Sequence, residues 1–254
     1  MKGIGLKVLI VLAYTQMLTV NALANILPIN GKTTGELSDQ YGNLFTPMGF
    51  TFSIWGLIYF LLLLFVLGVV FSPMGDFNKK IGRWFIANAL LNSSWIFAWH
   101  YEQLFLSFCI MLGLLYTLIQ LQIFLHVGVN GVKHYWLRIP FSVYFGWITV
   151  ATIANATAFL VGIGWEPYGA IAAIWTVALL FIGVVIAYIQ LLYFKQPVYA
   201  VVILWAYWGI YFKHTAKQGF DHQYEMVIFA TVIGMVVMGF GAIRTGYIAL
   251  KQNQ

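Results

Sequence analysis

Charged side chains are scarce in this chain, and their scarcity excludes most water-soluble architectures. Only 8% of the 254 residues are charged, whereas 62% are apolar and the mean hydropathy is +0.87. A soluble domain carries about a quarter charged residues. A chain of this composition cannot present a solvated surface, so we predict that the lipid bilayer is its solvent and its partner.

Other absences narrow the class further. The single cysteine, Cys109, lies in an apolar run and can form neither an intramolecular disulfide nor a cysteine-based metal cluster. The formal net charge of +6 is spread in ones and twos with no basic run of five or more, so no nucleic-acid partner is expected. Because no alternating strand pattern occurs either, we predict an all-α membrane protein.

Acidic residues are missing from the middle of every predicted membrane span. This absence argues against a proton pump or an ion-coupled carrier, which need buried acids as relays. No two histidines have the i, i+4 spacing of metal ligands, so neither a metal site nor a haem-iron site is expected. A lipid-modifying enzyme would need an acid, a base or a metal near the interface, and Glu102 and Glu166 are isolated. No catalytic residue and no cofactor are therefore assigned.

Eight apolar stretches are long enough to cross a bilayer. They cover residues 4–27, 47–71, 83–101, 104–127, 139–163, 168–193, 198–213 and 223–249. The prolines between them, Pro28, Pro73, Pro140, Pro167 and Pro197, are predicted to lie at helix edges. A cleavable signal peptide ending at Ala22-Leu23-Ala24 is the alternative for the first stretch, and an uncleaved helix is favoured.

The basic residues predict that both termini face the cytoplasm. With eight spans, ten basic residues fall inside and three, Lys32, Lys213 and Lys217, fall outside. Of the seven acids only Asp76 falls inside. This distribution satisfies the positive-inside rule, and adding or removing one span would scramble it. We therefore expect a multi-pass protein of the cell membrane.

Amides and aromatic rings share helix faces within the predicted spans. Residues i, i+4, i+7 and i+11 of a helix lie on one face. Two faces of this kind occur: Met48, Phe52, Trp55 and Tyr59 on the second span, and Asn88, Asn92, Trp95 and Trp99 on the third. On the fifth span, Trp147, Ala151 and Asn155 stack at i, i+4 and i+8. Asn21 and Asn25 are one turn apart on the first span. An unsatisfied amide in hydrocarbon costs several kcal/mol, so these amides should face the bundle interior.

The same side chains fall at similar depths. With a rise of 1.5 Å per residue, Trp55 and Asn155 lie roughly 12 Å, and Asn92 roughly 13 Å, below the predicted outer surface. Rings with a few amide anchors suit a flat, mostly apolar ligand. Helix packing through amides and interfacial anchoring by tryptophans are the alternative reading. Trp84, Trp136 and Trp165 are assigned to anchoring alone.

Three motifs resemble those of the TspO/MBR family, the tryptophan-rich sensory proteins related to the translocator protein. Trp55-Gly-Leu-Ile-Tyr59 is similar to the family's W-x-x-L-Y, and Leu91-Asn92-Ser-Ser-Trp95 to its L-N-x-x-W. Trp147-x3-Ala151-Thr152-x2-Asn155 matches W-x3-A-T-x2-N. The motifs occur in family order on the second, third and fifth spans.

The resemblance covers roughly residues 1–163 and implies a five-helix bundle, followed at 164–254 by three additional transmembrane helices. It also implies a pocket for porphyrins, sterol-like lipids or synthetic apolar ligands, and dimerisation through small-residue helix faces, as is common in the family. The loop Pro28–Phe45 would form its lid. The ligand-binding residues would be Trp55, Tyr59, Asn92, Trp95, Trp147, Ala151 and Asn155.

Two departures qualify the implied function. Pro140 lies farther from Trp147 than the family's proline does from its tryptophan, and Ala158 replaces a second tryptophan found in some bacterial members. Porphyrin photodegradation is therefore not predicted. We expect an intramembrane binder of a tetrapyrrole or sterol-like ligand with a sensory, regulatory or transport role. The alternative is a carrier or exporter of small hydrophobic solutes.

Overall fold

The computed structural model describes residues 2–73, 75–128, 135–165 and 169–251. Nearly all of these residues are helical, and the described chain contains no strand. The α-helices are α1 (Lys2–Ile26), α2 (Thr34–Gln40), α3 (Ile54–Phe71), α4 (Asp76–His100), α5 (Leu104–Gly128), α6 (Tyr135–Gly162), α7 (Gly169–Phe194), α8 (Pro197–Thr215) and α9 (Glu225–Lys251). Short 3-10 turns cover Ile29–Gly31 and Gly49–Ser53.

The all-α membrane fold predicted from composition is confirmed. A long helix occupies each of the eight predicted stretches, and six of the described helices are long and apolar enough to cross a membrane. The two that are less apolar are α4 and α8. Asn and Ser side chains lower the hydropathy of α4, and Trp and Tyr side chains lower that of α8. For these two helices, spanning the membrane remains a prediction.

The first of two compact units comprises residues 1–37 and 55–145. Helix α4 lies at its centre, in contact with both α1 and α5. Near one end of the unit, Phe65 of α3 packs edge-on against Phe141 of α6 with ring centroids 4.8 Å apart. At Gly82 an added methyl group would lie 2.6 Å from the Ile10 Cδ1 atom, so α4 packs closely against α1 at this glycine.

The second unit comprises residues 38–54 and 146–254. Helices α7, α8 and α9 contact one another, and the 49–53 turn packs against α8. Hydroxyl groups of α8 link it to its neighbours: the Tyr199 hydroxyl donates to Thr149 Oγ1 of α6 at 2.8 Å, and the Tyr207 hydroxyl donates to the Leu180 carbonyl of α7 at 2.6 Å. Such bonds are favoured because hydrocarbon offers no alternative partner for a buried hydroxyl.

Two local predictions are wrong. Pro140 is the sixth residue of α6 and does not lie at a helix edge. A proline there removes one backbone hydrogen bond, which its missing N–H would have donated to the carbonyl four residues earlier, and the helix continues past it. Asn25 is exposed instead of facing the interior, and its amide donates to the Asn21 carbonyl one turn earlier. Pro167 lies outside the described residues.

Candidate functional site

Four aromatic rings form a continuous column in the first unit. Trp55 stacks on Tyr59 one turn along α3, with centroids 5.7 Å apart and planes 15° apart. Trp55 also stacks on Trp95 of α4 at 6.3 Å, and Trp95 stacks on Trp99 at 5.9 Å. The i, i+4 spacing on each helix places these rings in register. The aromatic faces predicted from the sequence on α3 and α4 therefore meet.

Asn92 lies at the centre of the hydrogen bonds around this column. Its side chain is 0% exposed. The Asn92 Oδ1 atom accepts from Asn21 Nδ2 at 2.6 Å, and its Nδ2 atom donates to the Tyr144 hydroxyl at 2.7 Å. Tyr144 in turn lies edge-on to Trp55, with centroids 5.9 Å apart. One amide thus joins α1, α4 and α6 beside the rings. We call Trp55, Tyr59, Asn92, Trp95 and Tyr144 the tryptophan–asparagine cluster.

Two polar atoms of the cluster are buried without a hydrogen bond of good geometry. They are the Trp95 indole nitrogen and the Tyr59 hydroxyl oxygen. Asn92 is the polar neighbour of the Tyr59 hydroxyl, but the geometry between them falls short of a hydrogen bond. A buried unsatisfied donor costs about 1–3 kcal/mol. The cluster therefore carries polar capacity that its own packing does not use.

The other three predicted site residues lie in the second unit. Trp147 is buried and packs edge-on against Phe52 with centroids 5.8 Å apart. Asn155 is buried two turns after it, and Ala151 between them is half-buried. Trp147 and Asn155, which were predicted to share a helix face with Ala151, therefore both point into the protein interior.

The predicted lid, Pro28–Phe45, is partly helical, and its first part is tied to the end of α4. His100 is fully buried there. Its Nδ1 atom lies 2.9 Å from the Ile29 carbonyl, and its Nε2 atom lies 3.1 Å from Thr34 Oγ1. Asn30 Nδ2 donates to the His100 carbonyl at 2.9 Å. Three hydrogen bonds therefore tie residues 29–34 to the end of α4.

None of the described Lys, Arg, Asp and Glu side chains of the first unit is fully buried. Hydrogen bonds from the backbone N–H and hydroxyl of Thr33 lower the pKa of Glu36 at the start of α2. Glu102, one of the two isolated acids, pairs with Lys32 at 3.6 Å, and Glu166 lies outside the described residues. No group of three or more His, Cys, Asp or Glu side chains suited to a metal occurs in the described part of the chain.

Comparison with known families agrees with this geometry. The family model described as "TSPO-like protein" matches residues 7–244. The chain belongs to the TSPO-like family. No match was found among curated proteins or solved structures.

The family match extends beyond the part of the chain in which the motifs were found. It continues from residue 163, where the motif resemblance ends, to residue 244 in α9. The C-terminal helices are thus part of the matched region. The division into domains at 1–163 and 164–254 stays a prediction.

The sequence motifs did not identify Tyr144 as a residue of the tryptophan–asparagine cluster. Tyr144 is fully buried and holds Asn92 and Trp55 in place. The signal was present, because Tyr144, Trp147, Ala151 and Asn155 follow i, i+3, i+7 and i+11 and share one face of α6. Only the three motif residues of that face were selected, since the motif begins at Trp147.

Proposed function

We propose that this membrane protein of the TspO type binds a flat, mostly apolar ligand, such as a tetrapyrrole or a sterol-like lipid, at the tryptophan–asparagine cluster. The observation that carries the proposal is the ring column of Trp55, Tyr59 and Trp95 beside a buried Asn92 that is hydrogen-bonded to Asn21 and Tyr144. Indole and phenol rings provide flat apolar area, and a few polar atoms beside them fix a ligand's orientation.

The unused polar atoms support this proposal. An acceptor on the ligand would pair with the Trp95 N–H, and a polar group would pair with the Tyr59 hydroxyl, so binding would recover hydrogen bonds that the free protein lacks. Both atoms are closed off in the free protein, so the ligand must separate Trp55 from Trp95. The half-buried Trp55 is the ring that would move, because Trp95 is only 5% exposed.

Three further expectations belong to this proposal. Trp147, Ala151 and Asn155 of the second unit are proposed as additional ligand-binding residues on the family pattern alone. We also propose a sensory or regulatory role in the cell membrane with both termini in the cytoplasm, and a homodimer. Flux of a hydrophobic solute along its gradient in proteoliposomes would instead indicate the carrier function.

Binding is tested with protoporphyrin IX and the protein in lipid nanodiscs, followed by the porphyrin's own absorbance. Saturable binding above that of empty nanodiscs is expected. The double variant Trp55→Phe with Asn92→Ala should weaken binding about tenfold or more, equivalent to about 1.4 kcal/mol.

The matched control is Trp84→Phe. Trp84 lies on α4 and packs edge-on against Tyr116, outside the cluster. This variant should bind like the original chain. Unchanged affinity in a folded double variant would remove the cluster as the site, and an absence of saturable binding would reject the porphyrin.

A further inference from the structure

The second unit contains a cavity of about 340 Å³ that none of the motif residues lines. Its walls come from four segments: the 40–45 turn, the end of α6 with Trp165, the first three turns of α7, and the segment between α8 and α9. Ligand pockets in proteins measure about 300–1,000 Å³. The cavity is therefore large enough for a small organic molecule.

The walls of this cavity are anchored at the end of α8. His214 is fully buried, and its Nε2 atom lies 2.9 Å from the Leu44 carbonyl in the 40–45 turn. The ring of Phe220 packs on the His214 ring at 4.7 Å, and Tyr224 packs edge-on against Phe220 at 5.5 Å. Lys213 pairs with Asp39 at 2.9 Å just outside the turn. One helix end thus fixes two of the four walls.

Aromatic rings dominate the lining of the cavity. Trp165 is 42% exposed and packs edge-on against Trp175 with centroids 5.0 Å apart. The remaining rings are Phe45, Phe220 and Tyr224. The polar residues Gln40, Asn43, Thr157 and Thr176 also line it, and none of its described lining residues is charged. Rings with a few neutral polar groups suit an uncharged ring compound, whereas an ionic ligand would find no counter-charge among the described lining residues.

We propose that this cavity is a second ligand site, specific for an uncharged aromatic compound of the size of a substituted tricycle. At the packing density of protein interiors, about 0.74, a cavity of 340 Å³ holds about 250 Å³ of ligand atoms. The two sites share no residue, so this proposal stands whether or not a porphyrin binds the tryptophan–asparagine cluster. The exposed Trp165 ring lies where a ligand entering the cavity would stack.

The probe for this site is 1-aminoanthracene, which is flat and uncharged at neutral pH and changes its emission in an apolar cavity. Protein in nanodiscs should bind it saturably, beyond its partition into empty nanodiscs. Ala172 lines the cavity and is 8% exposed, so Ala172→Leu should fill part of it and weaken binding about tenfold or more. Trp165→Ala, at an exposed position, should weaken binding several-fold without disturbing the fold.

Two controls decide the interpretation. Ala178→Leu adds the same atoms at an exposed position of α7 and should leave binding unchanged. Anthracene-1-carboxylate has a similar ring system with a negative charge and should bind at least tenfold more weakly. Non-saturable uptake would overturn the site and leave only membrane partition. If the folded Trp165→Ala and Ala172→Leu variants both bound 1-aminoanthracene as tightly as the original chain, the site would also be overturned. If the original chain bound the carboxylate as tightly as 1-aminoanthracene, the preference for uncharged ligands would be refuted.

Discussion

The tryptophan–asparagine cluster and the 340 Å³ cavity are both rich in tryptophan, but they differ in how their rings are packed. In the cluster, rings from α3 and α4 stack face to face around hydrogen-bonded Asn92. In the cavity, rings meet edge-on and leave space between four segments. The difference shows that tryptophan side chains of this protein fill the interior in one unit and line a cavity in the other. Four substitutions test this contrast, from the largest expected effect to the smallest.

Asn92→Leu should destabilise the first unit most. The change keeps the side chain's volume but removes the acceptor of Asn21 and the donor to Tyr144, and it leaves the buried Tyr144 hydroxyl without that partner. Two lost hydrogen bonds, one of which leaves a buried hydroxyl unsatisfied, predict a free energy of unfolding lower by about 2–4 kcal/mol. Denaturant unfolding in micelles measures it. Asn25→Leu, at an exposed amide on α1, is the control and should change stability little. Equal losses in both variants would contradict a special role of the cluster.

Gly234→Ala should destabilise the second unit by about 1–3 kcal/mol through overpacking. A methyl group on Gly234 would lie 2.6 Å from Tyr207 Cε2, and Tyr207 is held by its hydrogen bond to Leu180. Gly239→Ala is the matched control on the same helix, because no atom lies within 4 Å of its added carbon. Thermal unfolding should separate the two variants, and similar midpoints would show that α8 and α9 can move apart without cost.

Acid should loosen the cavity walls before it affects the cluster. Burial, with a smaller effect from Lys213, lowers the pKa of His214, which lies beyond the predicted 198–213 span. A histidine whose pKa is lowered by folding stabilises the fold fully above its unfolded pKa of about 6.5, and this contribution is lost as the pH falls below that value. The protection of residues 42–46 against hydrogen exchange, corrected for the intrinsic exchange rate at each pH, should therefore fall as the pH drops below about 6.5. His214→Gln should abolish this dependence, and its persistence would assign it to another group.

The Lys213–Asp39 pair should contribute least. The lysine side chain is 20% exposed and the aspartate 52%, so water screens the pair. Lys213→Met should lower the free energy of unfolding by about 0.2–1 kcal/mol, less so at high salt. Lys79→Met, which breaks the more exposed pair with Asp76, should have a still smaller effect in the same unfolding assay. A loss above that range for Lys213 would mean that the ion pair, rather than His214, fixes the 40–45 turn.

Helical spacing in the sequence predicted correctly which residues of α4 lie on one buried face. Asn92, Trp95 and Trp99 were assigned to a common face of α4 by spacing alone, and they are buried together. Spacing failed at Asn25, because the last turns of α1 leave that face exposed. It also gave no hint of the cavity, whose rings come from residues 45, 165, 175, 220 and 224. Helical periodicity relates neighbours along one helix, and these residues lie in separate segments.

The contacts of the loop predicted as a lid also could not be read from helical periodicity. Its residues 28–37 belong to the first unit, where His100 holds them, and residues 38–45 belong to the second, where His214 holds Leu44. Both histidines were assigned from the sequence only to span ends. Nothing in their spacing shows that each ring lies 2.9 Å from a loop carbonyl, which is 71 residues away in the sequence for His100 and 170 residues away for His214.

The sequence by itself determined that this protein is helical and lies in a membrane. Low charge excludes a solvated surface, and backbone groups in hydrocarbon must be satisfied within helices. It also determined which amides and rings share a face, since that follows from the helical repeat. The tertiary structure alone decided that Tyr144 completes the cluster, that α7 and the 40–45 turn enclose a cavity, and that two buried histidines hold the loop. These features depend on packing between segments distant in the chain, which local periodicity does not encode.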